Sequence, residues 1–220
     1  MLDAIEITTG DAPRLAVVWL HGLGADGHDF EPIVPELRMT VPARFVFPHA
    51  PVRPVTINGG MQMRAWYDIL GFDRRAKEDA AGIRASAAAV TELVDREIER
   101  GLSSDRIVLA GFSQGGAIAL HTALRSSRPL AGVLALSTYL PLAATLASER
   151  NAANAAIPLF MAHGTDDPVL PFELAETSRR VLEELGYAVD WHAYRMAHSV
   201  CMEEIRAIGA WLDALPAARG

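Results

Sequence analysis

The chain has 220 residues, half of them hydrophobic, which suits one domain over 1–220 that buries roughly 70% of its unfolded surface. Its net charge of −7, with Lys and Arg positions scattered singly or in pairs, excludes the basic stripe a nucleic-acid partner would need. One cysteine, Cys201, excludes an intrachain disulfide; no apolar run approaches the roughly 18 residues of a spanning helix, and Met1-Leu2-Asp3-Ala4-Ile5-Glu6 carries acid where a signal peptide carries base, so a cytoplasmic protein without stable membrane insertion is expected.

The first strand is predicted at 15–20, and the glycine-rich His21-Gly22-Leu23-Gly24-Ala25-Asp26-Gly27 follows it. A second strand at 44–47 runs into 48–71, where Pro48, Pro51, Pro54 and Gly59-Gly60 interrupt any periodicity and predict a long ordered excursion near the site. Over 77–99, Ile83, Ala87, Val90, Val94 and Ile98 recur at steps of three or four, one apolar helix face that stops at Gly101. Strand 107–110 then leads into helix 115–124, strands follow at 133–136 and 159–162, and helix 172–185 ends at Gly186. Strand 189–194 and helix 202–215 complete the series, and the tail 216–220 is expected to fray. This alternation predicts an α/β fold, a mostly parallel central sheet with helices on both faces. Ligands bind such sheets at the carboxyl ends of the strands, so chemistry is expected in the loops that leave them.

The strongest signal in those loops is Gly111-Phe112-Ser113-Gln114-Gly115, a G-x-S-x-G motif directly after a strand and at the start of a small-residue helix. The turn is strained and leaves no room for a Cβ two residues either side of the serine, which explains both glycines and exposes the Ser113 hydroxyl as a nucleophile. A serine needs a base to take its proton and an acid to orient that base, and in hydrolases with this elbow both follow it in the chain, acid first. His121 falls within the elbow helix and His192 within a strand, and His163 precedes every acid on its own loop. His198, just beyond the last strand, fits the order as base. Asp166 and Asp167 compete for the acid. Asp167 is favoured, because Pro168 fixes the chain direction beyond it and Asp166 can serve the turn; the plain alternative is that both cap the helix beginning near Pro171.

The oxyanion of an acyl-transfer intermediate needs two backbone N–H groups. Gln114, after the nucleophile, supplies one by position, and Leu23 in the first glycine loop supplies the other. Gly22, Gly24 and Gly27 also spell the dinucleotide fingerprint G-x-G-x-x-G, which would make the chain an NAD-linked oxidoreductase. That reading requires an acid about 20 residues on for the ribose, and 39–50 contains none. No metal motif is present, so neither metal nor cofactor is expected.

Taken together, His21 to Gly27, Pro51-Val52-Arg53-Pro54-Val55-Thr56-Ile57-Asn58-Gly59-Gly60, Ala65-Trp66-Tyr67-Asp68, Gly111 to Ala117, Gly164-Thr165-Asp166-Asp167-Pro168-Val169 and His198-Ser199-Val200 span nearly the whole chain. They resemble the bacterial carboxylesterases similar to acyl-protein thioesterases, the phospholipase/carboxylesterase group of α/β-hydrolases. The resemblance implies Ser113, Asp167 and His198 as nucleophile, acid and base, and the amides of Leu23 and Gln114 as oxyanion hole. It also implies an apolar acyl groove bordered by 48–71, with Trp66 beside it as a substrate-binding residue; ordinary core packing is the other reading of Trp66. Tyr67 departs from the pattern, since many relatives carry phenylalanine there. The expected activity is hydrolysis of short- to medium-chain carboxylic esters through an acyl-enzyme, with acyl-protein thioesterase or lysophospholipase as alternatives on the same site. A non-catalytic binding protein on the same fold is the reading from another class. The expected partner is a small acyl ester or thioester, and the resemblance adds a homodimer.

Overall fold

The structure is a computed structural model that describes residues 1–71 and 77–215. The expected fraying tail, 216–220, lies outside them. A seven-stranded sheet forms the centre, in the order β1 (Ala4–Thr8), β3 (Ala43–Pro48), β2 (Leu15–Leu20), β6 (Ile107–Phe112), β7 (Gly132–Leu136), β8 (Leu159–Gly164) and β9 (Val189–Tyr194). β1 pairs antiparallel with β3 at one edge, and every other neighbour pair is parallel. The remaining strands, β4 (Val52–Val55) and β5 (Met61–Arg64), form an antiparallel hairpin of their own.

The central strands are continuous apolar runs because both their faces are covered. Along β2, Ala16, Val18 and Leu20 join one core while Leu15, Val17 and Trp19 join the other. The first core takes Ile83, Val90, Leu93 and Val94 of α1 (Ala80–Glu99), most of α2 (Gln114–Arg125), Leu146 of α3 (Ala143–Glu149) and Leu182 of α4 (Phe172–Glu184). The second takes Ile205, Ile208 and Leu212 of α5 (Met202–Ala214) with Val34 and Leu37 of a 3-10 turn at Glu31–Leu37. All six predicted strands and all four predicted helices are present. β1, α3 and the β4–β5 hairpin are additions; the hairpin occupies the stretch expected to be an aperiodic excursion. Among the described residues no helix is long and apolar enough to cross a membrane.

One buried charge gives the fold a pH dependence. Glu204, in the first turn of α5, is fully buried with Oε1 unpartnered, and its Oε2 accepts from the Cys201 amide at 3.4 Å. Burial lifts its carboxyl from an ordinary 4.5 to about 7. The folded protein therefore keeps a proton that the unfolded chain releases, so stability present below about pH 4.5 is lost as pH rises through about 7. The loss amounts to about 3 kcal/mol at 1.36 kcal/mol per pH unit. Glu204→Gln keeps the acceptor and removes the titration. It is expected to melt about 6 °C or more above wild type at pH 8 and level with it at pH 4. Parallel melting curves for the two proteins across that range would assign the pH dependence elsewhere.

Candidate active site

The carboxyl ends of β2, β6, β8 and β9 face one cavity of about 270 Å³, whose lining includes Gly22, Leu23, Ser113, Gln114, Leu170 and His198. The six come from four strand ends, Gly22 and Leu23 after β2, Ser113 and Gln114 after β6, Leu170 after β8 and His198 after β9, as the crevice rule for open parallel sheets requires.

Ser113 stands between β6 and α2 at φ 54° and ψ −120°, a backbone region where a side chain is strained. Three contacts hold it there: its N–H donates to Leu136 O at 2.8 Å, and its carbonyl accepts from Thr138 Oγ1 at 2.6 Å and Ala117 N at 3.2 Å. The flanking glycines answer a physical need. A Cβ on Gly111 would overlap the Gly115 carbonyl, and one on Gly115 would overlap the Leu20 carbonyl at the end of β2. Among the described residues nothing hydrogen-bonds the Ser113 hydroxyl, in keeping with free enzymes whose reactive hydrogen bonds tighten only around substrate.

Asp167 and His198 meet at 2.6 Å, Oδ2 to Nδ1. The other carboxylate oxygen, Oδ1, accepts from the amides of Val169 at 2.8 Å and Leu170 at 2.9 Å, so the carboxylate is fixed at both ends. This differs from the sequence argument in one respect. Asp166 was expected to serve the turn, but it points outward, 3.9 Å from Arg195, and Asp167 takes the turn amides as well as the histidine. Neither acid caps α4, whose N-cap is Pro171. The His198 ring packs on Phe112 at 4.7 Å between centroids, and its loop lies close over β8 because Gly164 lacks a Cβ, which would overlap the Met196 carbonyl and stand 2.5 Å from Ala197 O.

Leu23 and Gln114 line the same cavity as Ser113 and His198, and among the described residues neither backbone N–H is taken up by an acceptor. The loop carrying Leu23 is braced from within. His21 contacts the Gly22 carbonyl through Nδ1 at 2.7 Å and accepts the Ala50 amide on Nε2 at 3.0 Å, which places the ring proton on Nδ1, and burial lowers the pKa of the ring. This loop is followed by a 3-10 turn, so its glycines do not open the helix that a dinucleotide site requires.

Trp66 is not a groove residue. Its side chain is fully buried and absent from the cavity lining, with Nε1 donating to His21 O at 2.9 Å. Its backbone N–H donates to Gln114 Oε1 at 2.7 Å, and the Gln114 amide returns a bond to Tyr67 O at 2.8 Å. Trp66 therefore joins the loop after β2, at His21, to Gln114, the residue after Ser113. An indole is large enough to fill core and still satisfy its one donor, which is why its sequence context suits both roles.

Two lining groups had no sequence signal beyond the departure noted at Tyr67. Tyr67 and Tyr139 pair through their hydroxyls at 2.9 Å, and burial raises both phenols, Tyr139 to about 12 and Tyr67 well above its usual range, so both are neutral donors at pH 7. Asp29 also reaches the cavity, and burial, with Asp26 second, raises its carboxyl.

Comparison with known proteins gives the same picture. Residues 3–215 match the family model described as phospholipase/carboxylesterase. Acyl-protein thioesterase 1 of Neurospora crassa is 42% identical over 207 residues, covering 89% of this chain and 84% of that protein. Acyl-protein thioesterase 1 of Mycosarcoma maydis is 40% identical over 226 residues, covering 95% and 94%. Among crystal structures, Zea mays acyl-protein thioesterase 2 superposes with a TM-score of 0.87 at 28% identity, over 98% of this chain and 99% of that one. Arabidopsis thaliana SOBER1 gives 0.87 at 31% identity, over 92% and 99%. These relatives are fungal and plant proteins, so what the comparison supports is the family and not a place among its bacterial members. With a G-x-S-x-G elbow on a parallel sheet and a family model spanning nearly all of it, this chain belongs to the phospholipase/carboxylesterase family of α/β-hydrolases, and it is a hydrolase of carboxylic esters or thioesters.

Proposed function

We propose that the protein is an acyl thioesterase that also cleaves simple carboxylic esters, with Ser113 as nucleophile. The observation that carries this reading is the 2.6 Å contact between His198 Nδ1 and Asp167 Oδ2 on the cavity that also exposes Ser113. With Asp167 accepting the Nδ1 proton, Nε2 of His198 is the free base. It takes the Ser113 proton as Oγ bonds to the acyl carbon, and the carbonyl oxygen becomes an oxyanion held by the amides of Leu23 and Gln114. Collapse breaks the bond to the thiol or alcohol, which leaves with the proton from His198. Water then repeats the sequence on the acyl-enzyme and releases the acid. Thioesters lead the reading because the relatives sharing 42% and 40% of their residues with this chain are acyl-protein thioesterases.

A second reading, short- to medium-chain carboxylesterase, is favoured by the cavity itself: at about 270 Å³, with two tyrosines among its lining residues, it is small for a long acyl chain. Location in the cytoplasm, small acyl substrates and homodimer formation belong to the same proposal.

The test is hydrolysis of p-nitrophenyl esters from acetate to palmitate beside a palmitoyl thioester and a lysophospholipid. Faster turnover of the palmitoyl thioester than of palmitate ester supports the thioesterase, and a maximum at short or medium esters with a slow thioester supports the carboxylesterase. Inactivity on every substrate, with no covalent labelling by a fluorophosphonate, would overturn both and leave a binding protein on this fold.

A further inference from the structure

His163 ends up beside the acid although its place in the chain order argues against it as base. It sits near the end of β8, almost wholly buried, with Nε2 2.9 Å from Leu170 O and 3.4 Å from Asp167 Oδ2. Both neighbours are acceptors, so Nε2 carries the ring proton. Nδ1 is buried and unpartnered, so a second proton there would create a charge without an acceptor, and the ring is neutral. The charged or titratable groups facing it are Asp167, from its own strand-end loop, and His198, from the loop after β9; from α4 the Phe172 ring stands edge-on at 6.0 Å. The contacts close a ring. Leu170 gives its N–H to Asp167 Oδ1 at 2.9 Å and takes the His163 N–H on its carbonyl, and His163 Nε2 stands 3.4 Å from Oδ2, a polar contact outside hydrogen-bond geometry.

We propose that His163 is a positioning residue that holds the Asp167 carboxylate through Leu170, whose carbonyl takes the His163 N–H and whose own N–H binds Oδ1, with the ring N–H dipole 3.4 Å from Oδ2, and so sets how strongly Asp167 supports the His198 base. Burial of the ring lowers its pKa, which keeps it a one-proton donor through neutral pH. A carboxylate stripped of this N–H dipole, and of the Leu170 amide it secures, carries a less compensated charge and stabilises imidazolium at His198 more strongly, which moves the acid limb of the rate profile to higher pH. It also gains freedom to turn away from the ring it orients, which lowers the rate on the plateau.

This inference rests on the reading of Asp167 as the orienting acid. The test compares His163→Leu, which removes the donor at similar bulk, with His163→Gln, whose side-chain amide can place an N–H near the position of Nε2. For p-nitrophenyl butyrate, His163→Leu is expected to lose about 10-fold in kcat/KM, the upper range for one hydrogen bond between neutral groups, with the acid limb raised by about half a pH unit. His163→Gln is expected within about threefold of wild type with the limb restored. An unmoved or lowered limb in His163→Leu, or a glutamine variant as impaired as the leucine one, would overturn the proposal. Nitrogen-15 spectra of histidine-labelled wild type give a readout independent of folding of the variants and of activity. The His163 signals should show Nε2 protonated and Nδ1 bare from about pH 6 to 8, and the reverse tautomer would overturn the proposal even where no ester is cleaved. Loss of all wild-type activity with the expected tautomer intact would count against the catalytic reading and not against the contact.

Discussion

Replacing Ser113 with glycine is expected to abolish turnover and to make the protein harder to melt. The residue holds φ 54° and ψ −120°, where a side chain costs about 1–3 kcal/mol that glycine does not incur. Glycine returns about 0.5–1 kcal/mol of that through the larger freedom of the unfolded chain. The net gain is about 1 kcal/mol, or about 2–4 °C in melting temperature for a chain of this length. Ser113→Ala keeps the Cβ and therefore the strain, so it should be equally inactive yet melt with wild type. Both variants should lose on the order of 10⁶ in kcat if Ser113 is the nucleophile, since removal of a nucleophile that works as a unit with its base leaves only binding and oxyanion stabilisation. Calorimetry on the three proteins and butyrate ester hydrolysis check the two halves separately. A glycine variant that melts with or below the alanine variant would show that the elbow stores no strain at this residue. Residual turnover above about a thousandth of wild type in either variant would assign the nucleophile elsewhere.

Strain at Ser113 also explains why this part of the site is legible in the sequence. A turn this tight admits glycine alone at 111 and 115, so backbone sterics write themselves into residue identity. Chain order separates His198 from the other histidines because the strand-end loops of a parallel sheet fill one crevice in a fixed succession. Contacts between distant segments leave no such mark. The bonds from Trp66 to His21 and Gln114 span 45 and 48 positions, and nothing local to Trp66 distinguishes a brace from a groove wall. His163 shows the same limit: its role depends on Leu170 and Asp167 folding back over it, while chain order speaks only to whether it can act as base. β1 carries alternation, Ile5 and Ile7 inward against exposed Glu6 and Thr8, but over only five residues at a sheet edge, and the β4–β5 hairpin escapes pattern reading because its apolar Val52 and Met61 are exposed.

The largest loss of stability is expected from Gly115→Ala. A methyl at Gly115 would overlap the Leu20 carbonyl and lie 2.6 Å from His21 O. These are backbone atoms, so no side chain can rotate to make room. Leu20 is held in turn by its register with Gly111 on β6, and α2 is buried from Gln114 to Leu124. The helix must therefore lift from the sheet or the end of β2 must shift, either of which opens the first core. The expected cost is about 3 kcal/mol or more, about 6–12 °C in melting temperature. The same displacement strains the Trp66 bond to His21 O, and on the proposed role of the Leu23 and Gln114 amides as oxyanion donors surviving folded protein should also lose on the order of 10²–10³ in kcat, as for loss of one such donor. Gly22→Ala is the control. Its methyl would meet Phe112 Cδ1 at 3.4 Å and Ser113 Cβ at 3.6 Å, ordinary contacts with side-chain atoms, so its melting temperature should stay within about 2 °C of wild type. Denaturant and thermal melts of the two variants decide between close packing and mere flexibility as the reason for glycine at the elbow. Were Gly22→Ala the more damaging of the two, the approach of α2 to the end of β2 would not be what the motif glycines secure.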